Sequence, residues 1–268
     1  MYLSQLLIDT GTNPDRPRPG RLWLRNRYRI HQRLCMAFPS DPRKKSDPEF
    51  LAPYKPEDFP EQRHLADQKK HEVGHDALKQ VHSPRNDKAG FLLRIDPLPN
   101  GRAVIIVQSS IEPDWGYAFR NANYLLAAPP EVKPFEPRFS KGQCLRFRLA
   151  ANPTRRLSKH SPDAKEESIG KRVPVPTDQL IDWLARRAES AGFFVERDAT
   201  TIQTGYIYMN KNGKGQRLRS VLFDGLLRVT DTNAFLETLV RGIGAGKAFG
   251  FGLLSVAPVP NSGSENAT

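Results

Sequence analysis

Cysteine is almost missing from this chain, with only Cys35 and Cys144 in 268 residues. Both lie in apolar-patterned segments. That excludes a disulfide-stapled secreted scaffold and reads as two buried thiols of a cytoplasmic protein. Long hydrophobic runs are missing too. No stretch approaches the roughly 18 apolar residues of a membrane span, and the N-terminus lacks a basic segment followed by an apolar core, so no membrane partner is expected. Acids are in deficit, 29 against 41 lysines and arginines, for a net charge of +12. A positive field of that size gathers phosphate-bearing ligands, which turns the search toward polyanions.

What the chain has is glycine in one place. Arg241 to Leu254 reads Arg-Gly-Ile-Gly-Ala-Gly-Lys-Ala-Phe-Gly-Phe-Gly-Leu-Leu, with five glycines in the eleven positions from Gly242 to Gly252. Glycine permits positive φ and close approach of another backbone or a phosphate, and successive N–H groups can form an anion-binding nest. A phosphate-binding P-loop is excluded, because the positions that need Gly and Ser or Thr hold Arg241 and Ala248. A dinucleotide fingerprint is excluded as well, since Lys247 stands where it needs glycine and the stretch follows a helix. A helix C-cap at Gly242 followed by a glycine-rich turn against a sheet explains the same residues structurally.

Taken in order, residues 2–9 read as a strand. Residues 12–29 hold six arginines against one acid and read as a basic arm or loop. Asn26 is placed to cap an amphipathic helix over 27–38, ended by Pro39. Residues 40–90, with six prolines and ten charges of each sign, read as an irregular insertion. Its neutrality puts the whole net charge on the rest of the chain. Strands follow at 91–96 and 102–108, then a weak helix over 114–127 and a proline-rich connection. Residues 145–149, Leu-Arg-Phe-Arg-Leu, alternate strictly, with Arg146 and Arg148 on a face that meets either solvent or nucleic acid. The second half loosely repeats the order, with a helix over 177–191, strands at 193–197, 202–209 and 219–229, a helix capped by Asp231, and a final strand near 253–257. The expectation is an α+β protein of two tandem ferredoxin-like (RRM-like) domains, 1–150 and 151–257, with a disordered tail over 258–268.

Two constellations could carry chemistry. Tyr28 and His31 are three apart in the first helix, hence on one face. The helix N-terminus and surrounding arginines, Arg27 among them, disfavour imidazolium, so His31 is expected to be neutral until a phosphate neighbour stabilises its protonated form. An ordinary helical histidine is the plain alternative. The second constellation is His71-Glu72-Val73-Gly74-His75, which matches the zinc-peptidase signature H-E-x-x-H. Its central glycine, its place in the insertion and the lack of a third ligand at the required spacing weigh against a catalytic metal. Arg155, Arg156, Lys171 and Arg172 form basic clusters suited to phosphate contacts. Residues 205–223 contain no acid at all.

Several segments together resemble the CasE (Cse3) family of CRISPR-associated repeat endoribonucleases of the type I-E Cascade system, within the RAMP superfamily. They are Met1-Tyr-Leu-Ser, Tyr28-Arg-Ile-His31, Leu145-Arg-Phe-Arg-Leu-Ala-Ala-Asn-Pro-Thr, Lys171-Arg-Val-Pro, and Phe223-Asp-Gly-Leu-Leu through to Gly252-Leu-Leu-Ser-Val-Ala-Pro. The resemblance spans nearly the whole chain and implies two ferredoxin-like domains. It also implies metal-independent cleavage at the base of the stem-loop in CRISPR repeat RNA, with no cofactor. The 2′-OH attacks the adjacent phosphate, leaving a 2′,3′-cyclic phosphate and a 5′-OH. By position, His31 matches the family's catalytic histidine and Tyr28 its companion; which of them takes the 2′-OH proton stays open. Gly244, Gly246 and Lys247 fall in the family's glycine-rich loop and, with Arg27, Arg155, Arg156, Lys171 and Arg172, are the expected RNA contacts. Retention of the product and assembly with other Cascade subunits are implied as well. A non-catalytic RNA-binding subunit of the same fold is the alternative, one that retention of Tyr28 and His31 argues against. Residues 40–90 depart from the family in length.

Overall fold

The computed structural model describes residues 1–12, 18–39, 90–159, 166–211 and 214–259. The proposed insertion up to residue 89, with His71, Glu72 and His75, and the tail from residue 260 lie outside the described residues. Those residues divide into two compact units, one within Met1–Glu136 together with Tyr208–Gln216, the other within Pro137–Ile207 and from Arg217 onward.

The first unit runs β1 (Tyr2–Asp9), α1 (Pro19–Arg25), α2 (Arg27–Cys35), β2 (Phe91–Leu98), β3 (Arg102–Ser109), α3 (Trp115–Phe119) and β4 (Glu131–Pro134). Its sheet has the order β2-β3-β1-β4, and every pair is antiparallel. Strand alternation turns Ser4, Leu6 and Ile8 of β1 inward. Leu6 and Ile8 join Ile105 and Val107 of β3 and Ile30 and Leu34 of α2 in one apolar core. Residue spacing therefore fixes which face of α2 is buried, and with it the faces left for other work.

Two features differ from the sequence reading. The closing strand β4 comes from the segment read as a proline-rich connection; all four of its residues are exposed, so no alternation marks it. The basic arm contains a short helix, α1, with Pro19 in its first turn, where a missing N–H costs nothing. Trp23 and Leu24 of α1 pack on the core.

The second unit runs β5 (Cys144–Ala151), β6 (Thr154–Arg156), β7 (Arg172–Pro174), α4 (Leu180–Ser190), β8 (Phe193–Val195), β9 (Thr201–Lys211), β10 (Lys214–Val229), α5 (Thr232–Arg241) and β11 (Leu254–Pro258), with the ends of β9 and β10 inside Tyr208–Gln216 counted with the first unit. Its main sheet has the order β11-β5-β10-β8, with β9 paired to β10 and β6-β7 forming a separate two-stranded ribbon. Read as β5, α4, β8, β10, α5 and β11, this is the ferredoxin order again, so the protein has two tandem ferredoxin-like folds. The boundary expected at residue 150 falls near 136 instead. β5 opens the second fold, because Leu145, Phe147, Leu149 and Ala151 pack into the second core with Trp183, Phe223 and Phe235. Of the two outward arginines, Arg148 lies directly across from Asp224 of β10 and donates from Nε to its carboxylate at 2.6 Å, so half of that basic face is neutralised.

The glycine-rich stretch is fully accounted for by backbone geometry. Gly242, Gly244, Gly246, Gly250 and Gly252 all have positive φ, between 71° and 90°. Gly252 N–H donates to the Ala150 carbonyl at 2.8 Å and the Gly252 carbonyl accepts from Ile243 N–H at 2.9 Å, while Ala245 bridges Asn152 just past β5. A Cβ on Gly252, at φ +89°, would meet the Ile243 carbonyl oxygen at 2.8 Å. Gly252→Ala is therefore expected to cost about 1–3 kcal/mol, read as a fall on the order of 5 °C in Tm.

Candidate nucleic-acid interface and reacting groups

In the first unit, Asn26 accepts from Tyr28 N–H at 3.2 Å and so starts α2 as its sequence suggests. Tyr28 and His31 follow at i and i+3, both half-buried. The His31 ring lies 5.5 Å from the Phe91 ring of β2, with 32° between the planes, and its Nε2 is 3.6 Å from Cys35 Sγ. Burial lowers the pKa of Arg27 from 12.5 to about 10, with Asp96 opposing the shift; the guanidinium thus stays cationic at neutral pH, three units below that value. Arg33 is also lowered by burial, against a smaller opposing effect of Tyr124. It donates to Ala118 O at 3.0 Å and to Asn121 Oδ1 at 2.6 Å, which ties α2 to α3 and to the segment after it. The helix that carries Tyr28 and His31 is thus fixed at its cap, along its apolar face and through Arg33.

In the second unit, an open groove of about 700 Å³ is lined by Asn152, Thr154, Arg155, Arg156, Arg172, Trp183, Arg186, Arg187, Gly244 and Ala245. Three elements build it. The β6-β7 ribbon presents Arg156 and Arg172 directly opposite each other, a like-charge pair that is unfavourable unless an anion sits between them. Its exit is held by Arg219, which donates to the Val175 carbonyl and, at 2.7 Å, to Thr177 Oγ1. From α4 come Arg186, Arg187 and the buried Trp183, whose ring stacks on Phe223 at 6.1 Å and lies beneath the Arg187 guanidinium at 5.9 Å. The glycine-rich stretch supplies Gly244, where a Cβ would touch Trp183 at 3.4 Å. Among the described residues, Arg156, Arg172, Arg186 and Arg187 form no ion pair; the pairs present engage Arg94, Arg148, Arg197, Arg228 and Arg241. Four cations without acidic partners in one concave surface are an electrostatic seat for phosphates.

The structure thus brings together Arg155, Arg156, Arg172 and Gly244 of the expected RNA contacts. Lys171, Gly246 and Lys247 do not line the groove. The space beside Gly246 is filled by the Phe251 ring, and Lys247 packs near Gly252. Sequence reading missed Arg186 and Arg187, although they lie three and four residues after Trp183, a spacing that puts them over its helical face. It also missed Cys35, one turn past His31. No group of three or more His, Cys, Asp or Glu suited to a metal occurs among the described residues, whose helices also include none long and apolar enough to cross a membrane.

Known proteins share this fold. The chain is 40% identical over 167 residues to the CRISPR-associated endoribonuclease Cse3 of Thermus thermophilus, covering 58% of this chain and 73% of that one. It is 26% identical over 262 residues to the CRISPR system Cascade subunit CasE of Escherichia coli, covering 97% and 100%. A solved structure of Thermus thermophilus Cse3, bound to an RNA representing a pre-cleavage complex, superposes with a TM-score of 0.63 at 31% identity, over 96% of this chain and 98% of that one. Residues 54–258 match the family described as CRISPR associated protein. With three quarters of its length inside that match, and with the double ferredoxin fold and the arginine-lined groove in place, the chain belongs to the CRISPR-associated protein family.

Proposed function

We propose that this protein is the endoribonuclease that cuts CRISPR precursor RNA at the base of the repeat stem-loop and keeps the hairpin product within a Cascade complex. The observation that carries the reading is the groove, where Arg156 and Arg172 face each other across a two-stranded ribbon with Arg186 and Arg187 beside them and, among the described residues, no acid paired with them. RNA stems are recognised by backbone and shape, and such a surface is suited to that. The likeness to Cse3 and CasE supports the substrate and the assembly. Cytoplasmic action fits a chain whose two thiols form no disulfide.

The chemistry follows from what cleavage by the 2′-OH requires. A base removes the 2′-OH proton, the oxygen attacks the adjacent phosphorus, and the bond to the 5′ oxygen breaks as that oxygen gains a proton from an acid. The products are a 2′,3′-cyclic phosphate and a 5′-OH. Tyr28 and His31 share one face of α2 and supply one base and one acid between them. Nearby positive charge offsets the charge that builds on the phosphorane oxygens, and Arg27, cationic at neutral pH, is the candidate on the same helix. Every step is met by protein groups, so no metal is needed. Incubating the protein with its host's repeat RNA in EDTA and mapping the product ends tests this reading. One cut leaving a cyclic phosphate is expected; cleavage only after a divalent metal is restored sinks the metal-free mechanism.

A further inference from the structure

Two contacts of different kinds bear on the orientation of His31. The Phe91 ring lies beside the imidazole, tilted by 32° with centroids 5.5 Å apart, and is itself stacked on Phe38 at 5.3 Å with 20° between the planes, so an aromatic column packs against the ring. A 180° flip about the outer side-chain torsion leaves the ring plane unchanged, and the torsion is broad and roughly two-fold in its own preference. The aromatic column cannot tell the two flips apart. The Cys35 thiol can. Its sulfur is 3.6 Å from Nε2, and one flip offers it a hydrogen-bonding nitrogen where the other offers a C–H edge.

We propose that Cys35 is a positioning residue for His31, its thiol selecting the ring flip and so fixing the orientation in which the imidazole meets the RNA. This rests on the reading of His31 as a reacting group. The thiol suits the task because it is both a weak donor and a weak acceptor. It donates S–H to a bare Nε2 and accepts from Nε2–H once the imidazole is protonated, so it follows the ring through a cycle without trapping either state. The side chain is 2% exposed, on the fourth residue after His31, so the pairing is set by the helix and shielded from water. The plain alternative is that Cys35 is a small apolar filler of the core, as buried cysteines often are. The two roles separate experimentally, because filling depends on volume and positioning on a hydrogen-bonding atom.

Single-turnover cleavage of the host's repeat hairpin, with protein in excess, is measured beside RNA affinity for the wild type, Cys35→Ala, Cys35→Ser and His31→Ala. The imidazole nitrogens of the labelled protein are followed by NMR. Cys35→Ala is expected to slow cleavage about 10- to 100-fold with affinity within two-fold, and to move the His31 imidazole nitrogen signals as the ring comes to populate both flips. Cys35→Ser is expected to recover most of the rate. A wild-type rate in Cys35→Ala, a loss of rate that merely follows a loss of affinity, or a serine variant as slow as the alanine one overturns the positioning role while leaving the nuclease reading intact. A wild-type rate in His31→Ala overturns both together.

Discussion

Replacing His31 with alanine is expected to slow cleavage of the repeat RNA by about 10²- to 10⁴-fold, the range over which a positioned proton-transfer group acts, while RNA affinity changes by no more than a few-fold. The separation follows from the architecture. His31 belongs to the first ferredoxin fold, on a helix fixed by the Asn26 cap and by Arg33. The arginines proposed to hold the backbone belong to the second, in the groove built by β6, β7 and α4. Alanine is a good helix former, and the imidazole is only half-buried, so α2 stays folded in the variant. Single-turnover rates beside filter-binding constants make the check. A parallel loss of both quantities would mean that His31 binds RNA rather than reacting with it.

The converse is expected from the groove. Replacing Arg156, Arg172 and Arg186 with alanine together should weaken repeat RNA binding on the order of 100-fold or more at moderate salt, since charge-assisted phosphate contacts are each worth about 1.5–3 kcal/mol at most and solvent screens part of that. The salt dependence is the sharper readout. Each lost phosphate contact lowers the slope of log affinity against log salt by about 1, so the triple variant should lose about 3. Stability should not fall, because Arg156 and Arg172 repel one another across the ribbon, and removing an uncompensated like-charge pair relieves strain. A triple variant with unchanged affinity and slope would place the RNA elsewhere and remove the groove from the account.

Much of this was legible in the sequence, and the failures have physical causes. Alternation in Leu145-Arg-Phe-Arg-Leu gave the inward face of β5 correctly, but alternation says nothing about which sheet a strand joins. Its membership in the second fold depends on pairing with β10 and β11, far along the chain. β4 was invisible because none of its four residues is buried; among the described strands it pairs with β1, at the edge of the sheet. α1 hid behind prolines that break a helix in its interior and start one at its first turn. At the candidate site, Tyr28, His31 and the Asn26 cap follow from local spacing, which is why they could be read directly. Arg186 and Arg187 are equally local, yet only the inward side of α4 attracts notice when a helix is read for its core. The role of the glycine stretch divides. Its five positive-φ positions are structural, and of the residues expected to touch RNA there, Gly244 alone lines the groove. Arg148 shows the opposite error of attraction: an exposed arginine in a strand suggests a ligand until its cross-strand neighbour, Asp224, is known.

The central claim is that the RNA supplies its own nucleophile and the protein supplies proton transfer without a metal. The most direct test is cleavage, in EDTA, of a repeat hairpin carrying a single 2′-deoxy nucleotide on the 5′ side of the scissile phosphate. The account predicts that this RNA binds as tightly as the unmodified hairpin and is not cut. Cleavage of the deoxy hairpin at the same bond would require an external nucleophile and would contradict the account.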